Sequence, residues 1–234
     1  MTKSRLSYLI SVNIKTNGSK ITSGTLFVLQ ITIIIIIFAQ FILTTSITIM
    51  TPSEILLQQE KKRYLFEYLV FLLKQWRDEQ YPNFNEAFSK LKLHKILFLV
   101  AAVKATSQSH PLLEVFNNFY ALPYGPVELD IYDSMNGNTF KRIKFEGNNC
   151  KSDNLDYCYF EDLNNAQKQA MIEAIRAIRD MGADYITKNP FELVDITHKW
   201  TSWQVAMQVA EMLGNKRELM STEDIINSTV KAYK

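Results

Sequence analysis

The sequence predicts a mainly α fold: a compact helical domain with a small β appendage, preceded by an apolar N-terminal segment. Apolar residues recur at helical spacing in several long stretches that begin or end at capping residues, and short aromatic and β-branched runs lie between two of them. The 234 residues are 47% hydrophobic and 21% charged, which excludes a disordered or collagen-like chain. With 26 Lys plus Arg against 24 Asp plus Glu, we expect no nucleic-acid partner.

The first 49 residues differ in composition from the rest of the chain. No charged residue occurs between Lys20 and Glu54, and residues 26–43 read LFVLQITIIIIIFAQFIL. About 18 to 20 apolar residues can cross a bilayer as a helix. One interpretation is therefore that residues 1–49 are a membrane anchor, with residues 26–43 as the spanning segment.

A second interpretation is that translation starts at Met50. The next four residues, TPSE, provide Thr51 as an N-cap, a proline at the first helical position and Glu54 to complete a capping box. A well-formed domain covering residues 50–234 would then begin one residue after an internal methionine. Under this interpretation we expect a cytoplasmic protein, with the membrane-anchored form as the alternative.

Helices account for most of the domain. In the first, Leu65, Leu69, Leu72 and Trp76 lie on one face, and a later helix is apolar on all sides from residue 96 to residue 103, as in the middle of a core. In chain order, the predicted helices cover residues 52–79, from 83 or 85 to 105, 164–181, 189–199 and 202–213, with a last one capped by Ser221.

Between the second and third long helices, the runs FNNFYALPYG, FKRIKF and YCYF predict two or three short strands. The string YALPYGPVELDIY, residues 120–132, contains two prolines and a glycine within four residues, which predicts a rigid turn. Pro126 is expected to open a helix whose inward residues are Val127, Ile131 and Met135. The turn either orients that helix or presents Tyr124 as part of a recognition surface.

A second unusual string is LVDITHKWTSWQ, residues 193–204. Asp195 and His198 lie one helical turn apart, a spacing compatible with an acid–base pair or two metal ligands. Trp200 and Trp203 either lock two helices together or anchor a partner protein.

Nothing else in the chain indicates chemistry. Only three histidines and two cysteines occur, no phosphate-binding or hydrolase motif is present, and a third metal ligand near His198 is lacking. We therefore expect no enzymatic activity, no cofactor and no metal site. A hydrolase that uses Asp195 and His198 remains an alternative.

Three strings taken together resemble a known family. KLHKILFLVAAVKA (Lys92–Ala105), FYALPYGPVELDIYDSM (Phe119–Met135) and LVDITHKWTSWQVA (Leu193–Ala206) are similar, in order and spacing, to the Panacea domain of SocA-like, phage-associated antitoxins. The YGPV turn is the most specific part, and the likeness extends over about residues 51–227.

The resemblance implies a small helical antitoxin scaffold that neutralises a toxin of a bacterial or phage toxin–antitoxin system by binding it directly. A proteolytic adaptor that delivers the toxin to a protease is an alternative, and a membrane-anchored sensor is another. We expect Tyr124, Gly125 and Pro126 to position the partner-binding surface. The further candidate residues are His94, Lys95, His198, Lys199 and Trp203.

Overall fold

The computed structural model describes residues 32–33, 51–152 and 155–234. Thr51–Lys234 forms one compact unit. Apart from two residues, the predicted apolar segment lies outside the described residues. The anchor and start-site interpretations both concern that segment. Among the residues described, no helix combines the length and the apolar character needed to cross a membrane.

The predicted fold class is confirmed, since helices dominate and the strands are short. The eight α-helices of the described residues are α1 Pro52–Gln80, α2 Lys90–Ala102, α3 Pro111–Val115, α4 Leu129–Gly137, α5 Asn165–Asp180, α6 Pro190–His198, α7 Thr201–Met212 and α8 Thr222–Ile226. The strands are β1 Phe119–Leu122, β2 Gly125–Glu128, β3 Lys144–Glu146, β4 Asn149–Lys151 and β5 Glu218–Leu219.

Local capping sets most helix starts. Thr51 and Glu54 form the predicted capping box before α1, and Asn189 with Glu192 forms an equivalent box before α6. Ser221 accepts the Asp224 N–H at the start of α8, as predicted. These side chains satisfy backbone donors that the first helical turn leaves without a partner.

The start of α2 differs from the prediction. The helix is capped by Ser89 rather than by Asn83 or Asn85, because residues 84–88 are not helical and Ser89 forms an antiparallel bridge with Asn149 of the β3–β4 hairpin. The Cys150 N–H donates to the Phe88 carbonyl at 2.8 Å. A hydrogen bond between residues about sixty positions apart in the chain therefore takes the place of the first helical turn that the local sequence favours.

The core surrounds α2, in which every side chain from Lys92 to Ala102 is buried. Phe98 contacts the rings of Phe119 and Trp200 edge to face, with centroid separations of 5.5 and 4.8 Å. Burial of such rings is a large favourable contribution to folding. The all-round apolar pattern of this helix thus predicted its central position correctly.

The β elements needed three corrections. Residues 157–160, YCYF, form a 3₁₀ helix instead of a strand. Strands β4 and β5 were not predicted; β5 completes an antiparallel sheet in the order β2-β1-β5, while β3 and β4 form a separate hairpin. Pro126 lies in β2 instead of opening a helix, and α4 begins three residues later, with Glu128 as its N-cap.

Candidate partner-binding surface

The YGPV motif forms the end of a β-hairpin. Pro123 and Tyr124 connect β1 to β2, and Leu122 pairs with Gly125 at the closed end. Gly125 has a φ of +90°, a conformation that side chains other than glycine rarely adopt. A Cβ at this position would lie 2.5 Å from Thr197 Oγ1 and 3.0 Å from Lys95 Nζ, so the hairpin backbone packs tightly against α2 and α6.

Pro126 fits the edge strand for a specific reason. Its partner on β1 is Ala121, whose backbone groups face β5 on the other side, so the missing N–H of Pro126 points away from β1. The carbonyl of Pro126 points the same way and accepts a hydrogen bond from Lys95 Nζ at 2.7 Å. Lys95 therefore supplies the hydrogen-bond donor that a neighbouring strand would otherwise provide to this carbonyl.

The Lys95 side chain extends from α2 and packs against Gly125 and Pro126 of the hairpin. This side chain is fully buried. Burial holds the pKa of the Lys95 amine well below its ordinary value, because the charged form loses its hydration. Lys95 therefore stabilises the position of the hairpin by donating a hydrogen bond to the Pro126 carbonyl. Its amine is not accessible to solvent.

His198 and Trp203 hold the outer side of the hairpin. Their rings stack at a centroid separation of 3.8 Å and an angle of 11°. Trp203 Nε1 donates to the Leu122 carbonyl at 3.1 Å, whereas the buried His198 Nε2 has no hydrogen-bond partner among the described residues. Burial, followed by the proximity of Lys95, lowers the pKa of His198. Trp203 therefore fixes the turn in place, and His198 packs against the Trp203 ring.

His94 precedes Lys95 on α2, and the centre of its ring lies 5.8 Å from the centre of the Tyr132 ring. It is buried, and neither ring nitrogen has a hydrogen-bond partner in the described part of the chain. Burial, together with the charges of Lys95 and Lys90, lowers the pKa of His94 to about 3. The imidazole is therefore neutral at physiological pH.

The turn carries an exposed aromatic pair. Tyr124 is 63% exposed and Phe191, on the first turn of α6, is 61% exposed; their rings meet edge to face at 6.4 Å. Sequence reasoning did not select Phe191, because its position after Pro190 gives no signal that it would lie beside Tyr124, 67 residues away. Such a contact is decided only by the tertiary packing of the hairpin on α6.

The structure divides the eight candidate residues into two groups. Buried ones belong to the hairpin or lie beneath it, whereas accessible or half-buried ones face the surface around it. The buried residues are His94, Lys95, Gly125 and Pro126; the others are Tyr124, His198, Lys199 and Trp203. Only the second group can touch a partner in this conformation, and the first group can act by positioning.

The Asp195 and His198 side chains form no hydrogen bond or ion pair with each other, and the charge of Asp195 only partly offsets the lowering of the His198 pKa. Asp195 is exposed, whereas His198 stacks on Trp203. Within residues 32–33, 51–152 and 155–234, no group of three His, Cys, Asp or Glu side chains is placed to hold a metal ion. The clearest feature of this region is thus a rigid hairpin with aromatic side chains at its tip.

Comparison with known families identifies this region. Residues 93–204 match the family model described as antitoxin SocA-like, Panacea domain. This part of the chain, from α2 into α7, is therefore similar to the SocA-like Panacea domain, and the resemblance found in the sequence is confirmed. No curated protein and no solved structure matches the chain significantly.

Proposed function

We propose that this protein is a cytoplasmic antitoxin that neutralises a toxin by binding it directly, without catalysis. The observation that carries the proposal is the match of residues 93–204 to the SocA-like antitoxin family. The hairpin tip supports it, because Tyr124 and Phe191 offer an exposed aromatic anchor on a fixed backbone.

The geometry of the hairpin suits a binding surface. Aromatic residues contribute a large share of binding energy in protein interfaces, and a surface that is already ordered loses little conformational entropy on association. Lys95, Trp203 and Gly125 keep the turn ordered from three sides. A partner can thus bind without first folding the loop.

The test begins with a pull-down of the C-terminally tagged protein from its native host, with mass spectrometry of the proteins that co-elute. The co-eluting protein is then expressed in a test host alone and together with the antitoxin. We expect growth arrest from the first culture and restored growth from the second. Restored growth without a stable complex, with faster loss of the toxin, would favour the proteolytic adaptor instead.

Tyr124→Ala and Phe191→Ala test the surface. Both side chains are exposed, so we expect folded proteins with unchanged circular dichroism and toxin affinity reduced at least tenfold, the order of a ~1.4 kcal/mol loss. Tyr157→Ala is the matched control, since Tyr157 is also an exposed tyrosine but contacts α1 through Phe71. Equal affinities for all three variants, measured by calorimetry, would remove the aromatic pair from the interface.

A further inference from the structure

The outer edge of β5 offers free backbone groups. Tyr120 pairs with Leu219, and the Met220 N–H donates to the Phe119 carbonyl at 2.8 Å. Inward and outward backbone groups alternate along an antiparallel strand, so the N–H and C=O of Leu219 point away from β1. In the described part of the chain neither group has a hydrogen-bond partner, and Leu219 is 46% exposed.

A groove of about 1060 Å³ lies on the sheet face that carries Tyr120, Leu122 and Leu219, and Leu219 belongs both to the groove and to the edge. Its apolar wall comes from the sheet and from α7, through Leu122, Leu219 and Met207. Tyr120 and Pro123 complete the wall, so the groove reaches the hairpin turn that carries Tyr124. Every second side chain of an extended peptide that pairs with β5 points to this face of the sheet, towards the groove.

The rim of the groove is positively charged. Lys216 and Arg217 are exposed, and within the described residues neither forms an ion pair; the Arg217 guanidinium lies 5.3 Å from the centre of the Tyr120 ring. Glu218 is the one acidic residue among those that line the groove. The groove is therefore complementary to a segment that carries acidic side chains.

We propose that this groove binds an extended segment of a partner protein, in which apolar and acidic residues alternate, as an added strand beside β5. The proposal rests on the proposed function in one respect, because it takes the partner to be a protein. Backbone pairing to Leu219 supplies affinity, the apolar wall accepts alternate side chains, and Lys216 with Arg217 selects for acidic residues.

The direct test is fluorescence anisotropy with the full-length protein and two labelled peptides, EVTVEVTVE and its counterpart with lysine in place of each glutamate. We expect the acidic peptide to bind at least tenfold more tightly. The double variant K216E/R217E should reverse this preference. Equal binding of the two peptides to the unaltered protein would overturn the proposal.

The backbone contribution is tested at Leu219. Leu219→Pro removes the outward N–H, and a proline is tolerated on an edge strand in such a position. Leu219→Val is the matched control, since it keeps the N–H and an apolar side chain. We expect the proline variant to bind the acidic peptide at least tenfold more weakly than the valine variant; equal affinity would exclude strand addition. Should the proline variant fail to fold, ¹⁵N NMR of the unaltered protein decides, since strand addition requires the Leu219 amide to shift on titration.

Two further results separate this inference from the function. Sedimentation that shows a dimer lost in Leu219→Asp would mean that a second copy occupies the edge, which overturns the proposal. Full toxin neutralisation by K216E/R217E would exclude the groove as the toxin site while leaving the antitoxin function intact. The peptide assays contain no toxin, so their outcome does not depend on its identity.

Discussion

At the scale of single residues, both the backbone conformation and the space around position 125 require glycine. Any side chain must adopt the φ of +90° and displace Thr197 or Lys95. We expect Gly125→Ala to lower the free energy of unfolding by about 3 kcal/mol, from strain and overpacking together. Urea denaturation followed by circular dichroism measures the change.

Gly147→Ala is the matched control for that experiment. Gly147 also has a positive φ, of +58°, but a Cβ there would meet no atom within 4 Å. Only the conformational cost of about 1 kcal/mol should remain. Equal costs for the two variants would show that the hairpin does not pack against α2 and α6 as described.

His94 makes stability depend on pH. Its pKa falls from 6.5 to about 3 on folding, so between these values the unfolded chain binds more protons and stability decreases as the pH falls. At pH 4.5 the loss amounts to roughly 2 to 3 kcal/mol, at ~1.4 kcal/mol per pKa unit. The variant His94→Leu should lose less stability than the unaltered protein between pH 7 and pH 4.5, as measured by urea denaturation. Parallel pH profiles would contradict the burial of a neutral imidazole.

At the scale of elements, a buried ion cluster connects α1 to the hairpin and α4. Lys62 Nζ donates to Glu128 Oε1 at 2.7 Å, to Asn117 Oδ1 at 3.0 Å and to the Asp130 carboxylate. Glu128 also caps α4 by accepting the Ile131 N–H at 2.9 Å. One lysine therefore joins α1, which precedes the family-matched residues, to the centre of the family-matched region.

Removal of this lysine should be costly. Lys62→Met leaves the fully buried Glu128 without its cation, and we expect a loss of about 3 kcal/mol or more in the free energy of unfolding. The adjacent Lys61 is exposed, so Lys61→Met should change stability by no more than about 0.5 kcal/mol. Similar midpoints of thermal unfolding for the two variants would argue against the cluster.

At the scale of the whole molecule, residues 51–234 contain the elements needed for a stable core. The capping box at Thr51 and the buried rings around α2 belong to this unit. We expect a chain that begins at Met50 to fold cooperatively, with a near-ultraviolet circular dichroism signal from its tryptophans and one unfolding transition. A weak signal and a broad transition would show that the domain requires earlier residues.

Prediction from the sequence was most successful where the cause is local. Helix α5 covers nearly the predicted range; its N-cap is Asn164 and Gly182 follows it at a φ of +68°, in agreement with capping rules. Ile131 and Met135 are buried as predicted, although their helix begins later than expected. Periodicity survives such a shift because it reports which face of a helix is apolar, wherever the helix starts.

By itself, the sequence determined the mainly α fold class, most of the helix bounds and the resemblance to the Panacea domain, since caps and apolar spacing act within a few residues of one another. The tertiary structure alone decided that Pro126 lies in a strand, that Lys95 is buried beneath it and that Tyr124 meets Phe191. Each of these depends on atoms brought together from distant parts of the chain. Their burial and pairing are therefore fixed only when the hairpin packs against α2 and α6.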